Sequence, residues 1–290
     1  MRLLFITLLV HLGAPICAQD ANTTPFAAFD LASAPVLNDP HDLEIGLDGR
    51  LYIADKFGAR IVVMDPDTLE VVDVLGEGAL PGVHDISINA LGTTVIAVSG
   101  VSVVAVYTDV ANAGTQPGLA LSAPRAEGAL AHSNGRIYAM ASGAGMLAAF
   151  EGGTLIATAG GHGGAHDVAE DLDGNVWVAD NAARRLVQYT PDLERLKVLD
   201  HAKFGFVGPR YLDFDDYGRL VVADQDAHRI LLIDPDGHDG GTLLGVLGDG
   251  QPGLGANKFD DPEGVVVSGN RYYISDSDNN RIVRYSVVLN

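Results

Sequence analysis

Six polar residues recur along the chain at the same place in a repeating unit, and three of them are histidines. Each precedes an apolar stretch, as in Pro40-His41-Asp42-Leu43, and the steps between them are 43, 43, 39, 44 and 53 residues. The six residues are His41, His84, Glu127, His166, Arg210 and Glu263. If they converge, three imidazoles and two carboxylates form a transition-metal site, since imidazole suits Zn, Cu, Fe and Ni and carboxylate completes the charge.

The spacing of these residues predicts the fold that brings them together. Repeats of about this length, built from short strands, are typical of a β-propeller. The first strand of each blade lines the central channel, so residues at one shared position form a ring around one point. The sequence therefore predicts an all-β fold, a six-bladed β-propeller.

A second recurring pattern is an aspartate at the end of the second strand, with an arginine five residues later. The four pairs are Asp55 and Arg60, Asp180 and Arg185, Asp224 and Arg229, and Asp276 and Arg281. Fourfold recurrence at fixed spacing indicates architecture rather than catalysis. We expect each aspartate to pair with its arginine, or to accept backbone N–H bonds, and so to fix the turn between strands two and three.

The two ends of the repeat array complement each other. The sixth unit stops after three strands, while Thr24 to Leu31 precedes the first unit and carries an apolar stretch around Phe26 to Phe29. We expect this segment to supply the outer strand of the last blade, because such closure removes exposed sheet edges.

The first residues have the regions of a secretory signal: Met1-Arg2, an apolar run from Leu3 to Leu12, and small residues up to Ala18. We expect a signal peptide over residues 1–18 and a single propeller over 19–290 that is secreted or periplasmic. Cleavage after Ala18 would remove Cys17, the one cysteine. The alternative is a lipoprotein acylated on Cys17, for which Ile16 is a poor match.

The formal charge of -20 argues against nucleic acid as a partner, because an acidic surface repels phosphate backbones and no basic patch is visible. The apolar run from Leu3 to Leu12 is too short to span a membrane. We expect a monomer that takes a small-molecule or peptide substrate, with a protein partner as the other possibility.

Several motifs resemble NHL repeats, which form propellers. They are the starts Asp39-Pro40-His41-Asp42 and Asp261-Pro262-Glu263-Gly264, the centre Asp-Gly-x-Leu/Val-Tyr/Trp-Ile/Val-Ala-Asp, and the end Asn280-Arg281-Ile282. The resemblance covers about residues 24 to 286 and is strong for blades one, four, five and six. It implies a fold that hosts scaffolds and enzymes alike.

Among NHL-type propellers the chain most resembles the peptidyl-hydroxyglycine α-amidating lyases, secreted enzymes in which channel histidines hold zinc. Pro40-His41-Asp42-Leu43 and Ala165-His166-Asp167-Val168 are similar to their blade starts, and Phe206 to Arg210 is loosely similar to the region of their substrate-binding arginine. That family sets its histidines on alternate blades, and the alternate set here is His84, His166 and Glu263.

These observations lead to a site hypothesis. The predicted metal ligands are His84, His166 and Glu263, which leave one position open for water or substrate, and Glu127 is an additional candidate ligand. His41 is predicted to act as a further ligand or a proton shuttle. Arg210 has a fork suited to a substrate carboxylate, or else pairs with Glu263. Zinc is the expected metal, and calcium is the alternative.

Three functions are then open. The first is a lyase acting on a small carboxylate-bearing or peptide-derived substrate, through a Lewis acid beside a carboxylate anchor. The second is a non-catalytic NHL scaffold that binds a peptide or a partner protein. The third is a lactonase-like metal-dependent hydrolase, which calcium and a ring of oxygen ligands would favour.

Two neighbouring features receive weaker interpretations. The glycine-rich segment 159–165 lacks the lysine and helix of a phosphate loop, so we expect a flexible loop with His162 exposed to solvent. Tyr211 adjoins the ring position and is a candidate to face the pocket.

Overall fold

A computed structural model describes residues 25–287 and shows six four-stranded antiparallel sheets. The innermost strands of successive sheets contact one another around a closed circle, which makes each sheet one blade of a propeller. The prediction of a six-bladed all-β propeller is confirmed. The predicted signal peptide, residues 1–18, lies outside the described residues.

The first strand, β1 (Ala28–Ala32), belongs to the last blade, and the other strands follow four to a blade in chain order. Blade one contains β2 (Pro40–Ile45), β3 (Leu51–Asp55), β4 (Arg60–Met64) and β5 (Val71–Leu75). Blade two contains β6 (Val83–Ile88), β7 (Thr94–Val98), β8 (Val103–Tyr107) and β9 (Leu119–Ser122). Blade three contains β10 (Ala126–Ala131), β11 (Ile137–Ala141), β12 (Met146–Glu151) and β13 (Thr154–Gly160).

The second half of the ring repeats this arrangement. Blade four contains β14 (Val168–Glu170), β15 (Val176–Asp180), β16 (Arg185–Tyr189) and β17 (Arg195–Asp200). Blade five contains β18 (Pro209–Phe214), β19 (Leu220–Asp224), β20 (Arg229–Asp234) and β21 (Thr242–Leu247). Blade six contains β22 (Pro262–Ser268), β23 (Arg271–Asp276), β24 (Arg281–Ser286) and β1. Within residues 25–287 the one α-helix, α1 (His201–Phe204), follows blade four, and no helix of this part of the chain is long and apolar enough to cross a membrane.

The core lies between the blades rather than at the centre of the ring. Six apolar clusters each join two neighbouring sheets, as where Tyr52 and Val63 of blade one pack on Ile86 and Ile96 of blade two. Both faces of the middle strands are therefore buried, which explains their continuous runs of β-branched residues. Each large apolar side chain buried in this way stabilises the fold by roughly 1.5–3 kcal/mol.

Strand β1 closes the ring, as the sequence predicts. It pairs antiparallel with β24, so the N-terminal segment completes the sheet of the last blade. Phe26 packs edge-on against Tyr272, and Phe29 packs edge-on against Tyr285. The carboxylate of Asp30 accepts a hydrogen bond of 2.8 Å from Arg284 Nε.

The recurring Asp–Arg pairs are ion pairs, as predicted. Arginine Nε lies 2.7 Å from the carboxylate in Asp55–Arg60 and 2.9 Å in Asp224–Arg229. The other oxygen of Asp224 accepts backbone N–H bonds from Val207 and Gly208 at 2.8 and 2.7 Å. The aspartates thus also hold the loop that leads into the first strand of the blade.

In blade four, the recurring aspartate binds a side chain of the preceding loop. His162 Nδ1 lies 3.1 Å from Asp180 Oδ2, and its Nε2 lies 2.6 Å from the hydroxyl of Tyr189. The ring is fully buried, so the prediction that His162 is exposed is wrong. Glycines on both sides of His162 allow the loop to turn this imidazole into the protein interior.

Candidate functional site

The six recurring residues meet at one end of the channel, here called the upper end, where the innermost strands begin. Five of them are the second residue of an innermost strand, and His166 lies two residues before β14. The side chains are buried except that of Arg210, which is 18% exposed. Convergence is what the repeat spacing predicts.

A β-bulge aims these side chains. The pairing between first and second strands shifts register at the ring residue in blades one, two, three, five and six. A bulge adds an unpaired residue and re-orients its side chain. Ring residues therefore face the channel, and so do the residues that follow them, including Asp42, Asp85 and Tyr211.

The first cluster at the upper end consists of Asp39, His41 and Glu263. Ligand-type atoms of these three side chains all lie within 4.8 Å of one another. His41 Nε2 is 3.3 Å from Asp39 Oδ2, and His41 Nδ1 faces Glu263 Oε2 as an ion pair. Among residues 25–287, this is the one group of three such side chains close enough to hold a single metal ion.

Cationic and amide side chains surround that cluster. Lys56 Nζ lies 3.1 Å from Asp39 Oδ2, and Arg210 Nε lies 3.5 Å from Glu263 Oε2. Gln225 donates to Glu263 Oε1 at 2.8 Å and accepts from Arg210 Nη1 at 2.6 Å. The predicted Arg210–Glu263 proximity therefore exists, and Gln225 holds the guanidinium in place.

The second cluster consists of His84, Glu127 and His166. Glu127 bridges the two imidazoles, with its oxygens 3.9 Å from His84 Nε2 and 3.4 Å from His166 Nε2. Arg125 Nε lies 2.9 Å from the same carboxylate. The structure thus places Glu263 with His41, and it places Glu127 with the other two histidines. The predicted ligand set His84, His166, Glu263 and Glu127 is divided between the two clusters and stays a prediction.

The pKa values of the three histidines are shifted in different directions. Burial opposes the charged ring of His41, but Glu263 and Asp39 raise its pKa above the ordinary value. Burial, reinforced by the charge of His41, lowers the pKa of His84 to about 3. Burial and the nearby Arg210 lower the pKa of His166 well below the ordinary value. His84 and His166 are therefore neutral at pH 7, the form in which imidazole binds metals or accepts a proton.

Tyr211 closes the channel below these clusters. Its side chain is buried, and its hydroxyl donates a hydrogen bond of 2.9 Å to the backbone carbonyl of His84 on the far side of the channel. Burial, together with the charge of Glu263, raises the pKa of this phenol well above its ordinary value. Tyr211 thus faces the channel interior and separates the upper site from the lower channel.

A cavity of about 460 Å³ lies over the first cluster and opens to solvent. Its walls include Asp39, Lys56, Arg210, Gln225 and Glu263. Two carboxylates of the cluster and two cations thus line a space large enough for a small substrate. His41, which contacts both carboxylates, is buried and does not line it. Burial works against ionisation of Asp39, but His41 and Lys56 lower its pKa to about 2, so this carboxylate is charged.

Sequence reasoning missed Asp39, Lys56 and Gln225. Asp39 stands two residues before the ring position, where Arg125 and Asp261 also reach toward the channel. The backbone there is left-handed, with φ of 62° at Asp39 and 55° at Asp261, a conformation that is costly outside glycine and clusters at functional sites. Lys56 and Gln225 directly follow the recurring aspartate, so each could have been found by extending the repeat alignment one position.

Comparison with known proteins assigns the chain to a family. A family model described as a domain of unknown function, DUF5074, matches residues 41–200, which is more than half of the chain. The chain belongs to this family. The NHL repeat model matches residues 259–285 in blade six, in agreement with the predicted NHL-type propeller. No curated protein matches the chain.

Solved structures share the fold of this DUF5074 protein at low identity. Virginiamycin B lyase of Staphylococcus aureus is 12% identical, with 87% of this chain and 96% of the lyase covered and a TM-score of 0.62. A protein of unknown function from Bacteroides thetaiotaomicron is 15% identical, with 92% and 73% covered and a TM-score of 0.65. A provisional 6-phosphogluconolactonase of Bacteroides uniformis is 12% identical, with 88% and 82% covered and a TM-score of 0.63. These similarities establish the propeller and carry no support for the amidating lyases specifically.

Proposed function

We propose that this protein is an exported, metal-dependent lyase that acts on a small carboxylate-bearing or peptide-derived substrate at the upper end of the channel. The observation that carries the proposal is the convergence of Asp39, His41 and Glu263 within 4.8 Å, beside a solvent-open cavity. The apolar N-terminal segment of the sequence supports export to the periplasm or the medium.

The donor set fits a divalent metal. One imidazole and two carboxylates suit zinc and related ions, and they leave positions for water or substrate. His41 Nδ1 and Glu263 Oε2 are buried and face each other, yet neither makes a hydrogen bond. Asp39, His41 and Glu263 would hold such an ion, and its binding would replace the direct contact between His41 and Glu263. When bound, the metal would supply a Lewis acid that polarises a substrate carbonyl or hydroxyl.

The remaining side chains would have separate roles in an elimination reaction. Arg210, at the wall of the cavity, would bind the substrate carboxylate through its guanidinium fork. A lyase must also remove a proton from the atom next to the bond that breaks. The neutral imidazoles of His84 and His166, bridged by Glu127, would receive that proton and pass it to the leaving group.

The comparisons include more than one kind of enzyme. Virginiamycin B lyase and a provisional 6-phosphogluconolactonase both share the fold. At 12% identity the likeness extends to the fold alone, so the reaction class here depends on the site geometry.

Elemental analysis of the mature protein, purified without chelator or affinity metal, tests the proposal. We expect about one divalent metal per chain, the number that a single three-ligand site holds. His41→Ala should lose that metal, and the matched variant His238→Ala, whose side chain is 87% exposed, should keep it. A wild-type protein that takes up no metal after reconstitution would refute the proposal.

A second function is favoured by the two cations. Lys56 and Arg210 already pair with the carboxylates of the first cluster, so the network is satisfied as a binding surface without catalysis. A metal-free protein that retains a peptide or partner at this end of the channel would establish the scaffold function instead.

A further inference from the structure

Below Tyr211, the lower channel holds a cavity of about 230 Å³ lined by six carboxylates. The six residues are Asp42, Glu44, Asp85, Asp167, Glu170 and Asp213. No lysine, arginine or histidine is among the residues that line this cavity. The charge imbalance is therefore local, and it lies apart from the metal site proposed above.

Five of these carboxylates already have backbone or hydroxyl donors. Across blade boundaries, Asp42 accepts from Ile86 N at 3.1 Å and Asp167 accepts from Leu212 N at 2.7 Å. Asp213 accepts from Val267 N, Glu170 accepts from Ser133 N, and Glu44 accepts from the adjacent Ile45 N. Most of the acids thus have structural roles, and four of these bonds join neighbouring blades.

Asp85 is the exception. Its side chain is 1% exposed, it lines the cavity, and neither carboxylate oxygen makes a hydrogen bond. Burial, then the charges of Asp42 and Asp167, raise its pKa well above the ordinary value. A buried carboxylate without a donor is costly, by about 1–3 kcal/mol or more when charged. The nearest groups of the chain are the backbone N–H of Ala129 and the carboxyl of Asp167, and neither forms a well-aligned hydrogen bond with Asp85.

The volume and the lining of the cavity indicate which kind of cation it would bind. Among residues 25–287, the carboxylates of this layer do not form a group close enough to share one metal ion. The volume is many times the roughly 10–15 Å³ that one water needs. The walls also include apolar side chains such as Leu43, Ile86 and Val265. Carboxylates that are spread among apolar side chains match a cation that carries an aliphatic chain.

We propose that the lower channel binds an organic cation, an alkylammonium or guanidinium group on an aliphatic chain, with Asp85 as its principal counter-ion. The cavity reaches the lower face beside Asn89, Ala90 and Ser133, which provide access from solvent. The same chemistry is carried by a free diamine and by a lysine or arginine side chain of a peptide. This proposal does not depend on the metal site or on the lyase activity.

Calorimetric titration and thermal denaturation of the mature protein in an amine-free buffer test it. The probes are 1,5-diaminopentane, a lysine-containing peptide blocked at both ends, and calcium chloride, each at constant ionic strength. We expect a saturable rise in melting temperature with an organic cation, and at least tenfold weaker binding in Asp85→Asn. Asp73→Asn, the same change at an exposed position, should bind as the wild type does.

Each outcome decides between sources or against the proposal. Binding of the diamine alone assigns a free amine as the ligand, and binding of the peptide alone assigns a partner's side chain. Calcium binding without either organic cation, or equal loss in both variants, would overturn the proposal. If Asp85→Asn does not fold, the wild-type protein should still bind 1,5-diaminopentane at least tenfold more tightly than 1,5-pentanediol, an uncharged chain of the same length. Equal binding of the diol would also overturn the proposal.

Discussion

The hydroxyl of Tyr211 and the backbone carbonyl of His84 form a 2.9 Å hydrogen bond across the centre of the ring, from blade five to blade two. This single bond joins opposite sides of the channel and divides it into an upper part, with histidine and carboxylate, and a lower part, with carboxylate alone. The two proposed sites therefore lie on opposite sides of this bond.

Removing that bond should destabilise the ring. In Tyr211→Phe the carbonyl of His84 stays buried without its donor, which costs about 1–3 kcal/mol. Urea denaturation should show this loss as a lower midpoint. Tyr217→Phe removes a hydroxyl from a side chain that is 80% exposed, and it should leave the midpoint unchanged. Equal midpoints for wild type and Tyr211→Phe would mean that the bond contributes nothing.

The recurring aspartates should contribute more to the free energy of unfolding than surface ion pairs do. Asp224→Ala removes the partner of Arg229 and the acceptor of two backbone N–H groups in a buried place, so we expect a loss of about 3 kcal/mol. Asp192→Ala breaks the pair with Arg136, where the aspartate is 76% exposed, and should cost under about 1 kcal/mol. Chemical denaturation of both variants provides the comparison, and similar losses would contradict an architectural role for Asp224.

Stability should fall as the pH rises. Burial, then the charge of Asp213, raises the pKa of Glu44 to about 8, from an ordinary value of 4.5. Between these values the folded state keeps a proton that the unfolded state has released, so the contribution of this carboxyl is lost through that window. Melting temperatures from pH 5 to 8.5, in amine-free buffer, should decline, and Glu44→Gln should flatten the decline. Glu77→Gln, at an exposed position, should not change it.

Closure by β1 should be required for a stable ring. Removal of residues 1–34 deletes the strand that pairs with β24 and exposes a long sheet edge, so we expect a marked drop in melting temperature and association through that edge. Removal of residues 1–24 retains the strand and serves as the control. Light scattering and thermal denaturation distinguish the two, and identical behaviour would show that blade six is stable with three strands.

The sequence was sufficient to predict the blades, the ring closure and the ring residues, because each depends on a feature that repeats. Ring residues share one alignment position, and a propeller brings equivalent positions together. Their grouping was not predictable, because it depends on side-chain reach: Glu263 contacts His41, while Glu127 contacts His84 and His166.

Other features depend on departures from the repeat. A strand normally alternates the faces of its side chains, so Asp85 and Tyr211 would be expected to point away from the channel. The bulges at the ring residues of blades two and five cancel that alternation. His162 takes the place of a backbone donor opposite Asp180, a substitution that only the loop's path reveals.

The pairing of β1 with β24 also bears on how the ring folds. Blades one to five each consist of four consecutive strands, whereas blade six joins three strands to β1 from the opposite end of the array. Contacts between distant parts of a chain are slow to form. We therefore expect ring closure to be the slow step of refolding, and the channel to reach its final shape only with that step.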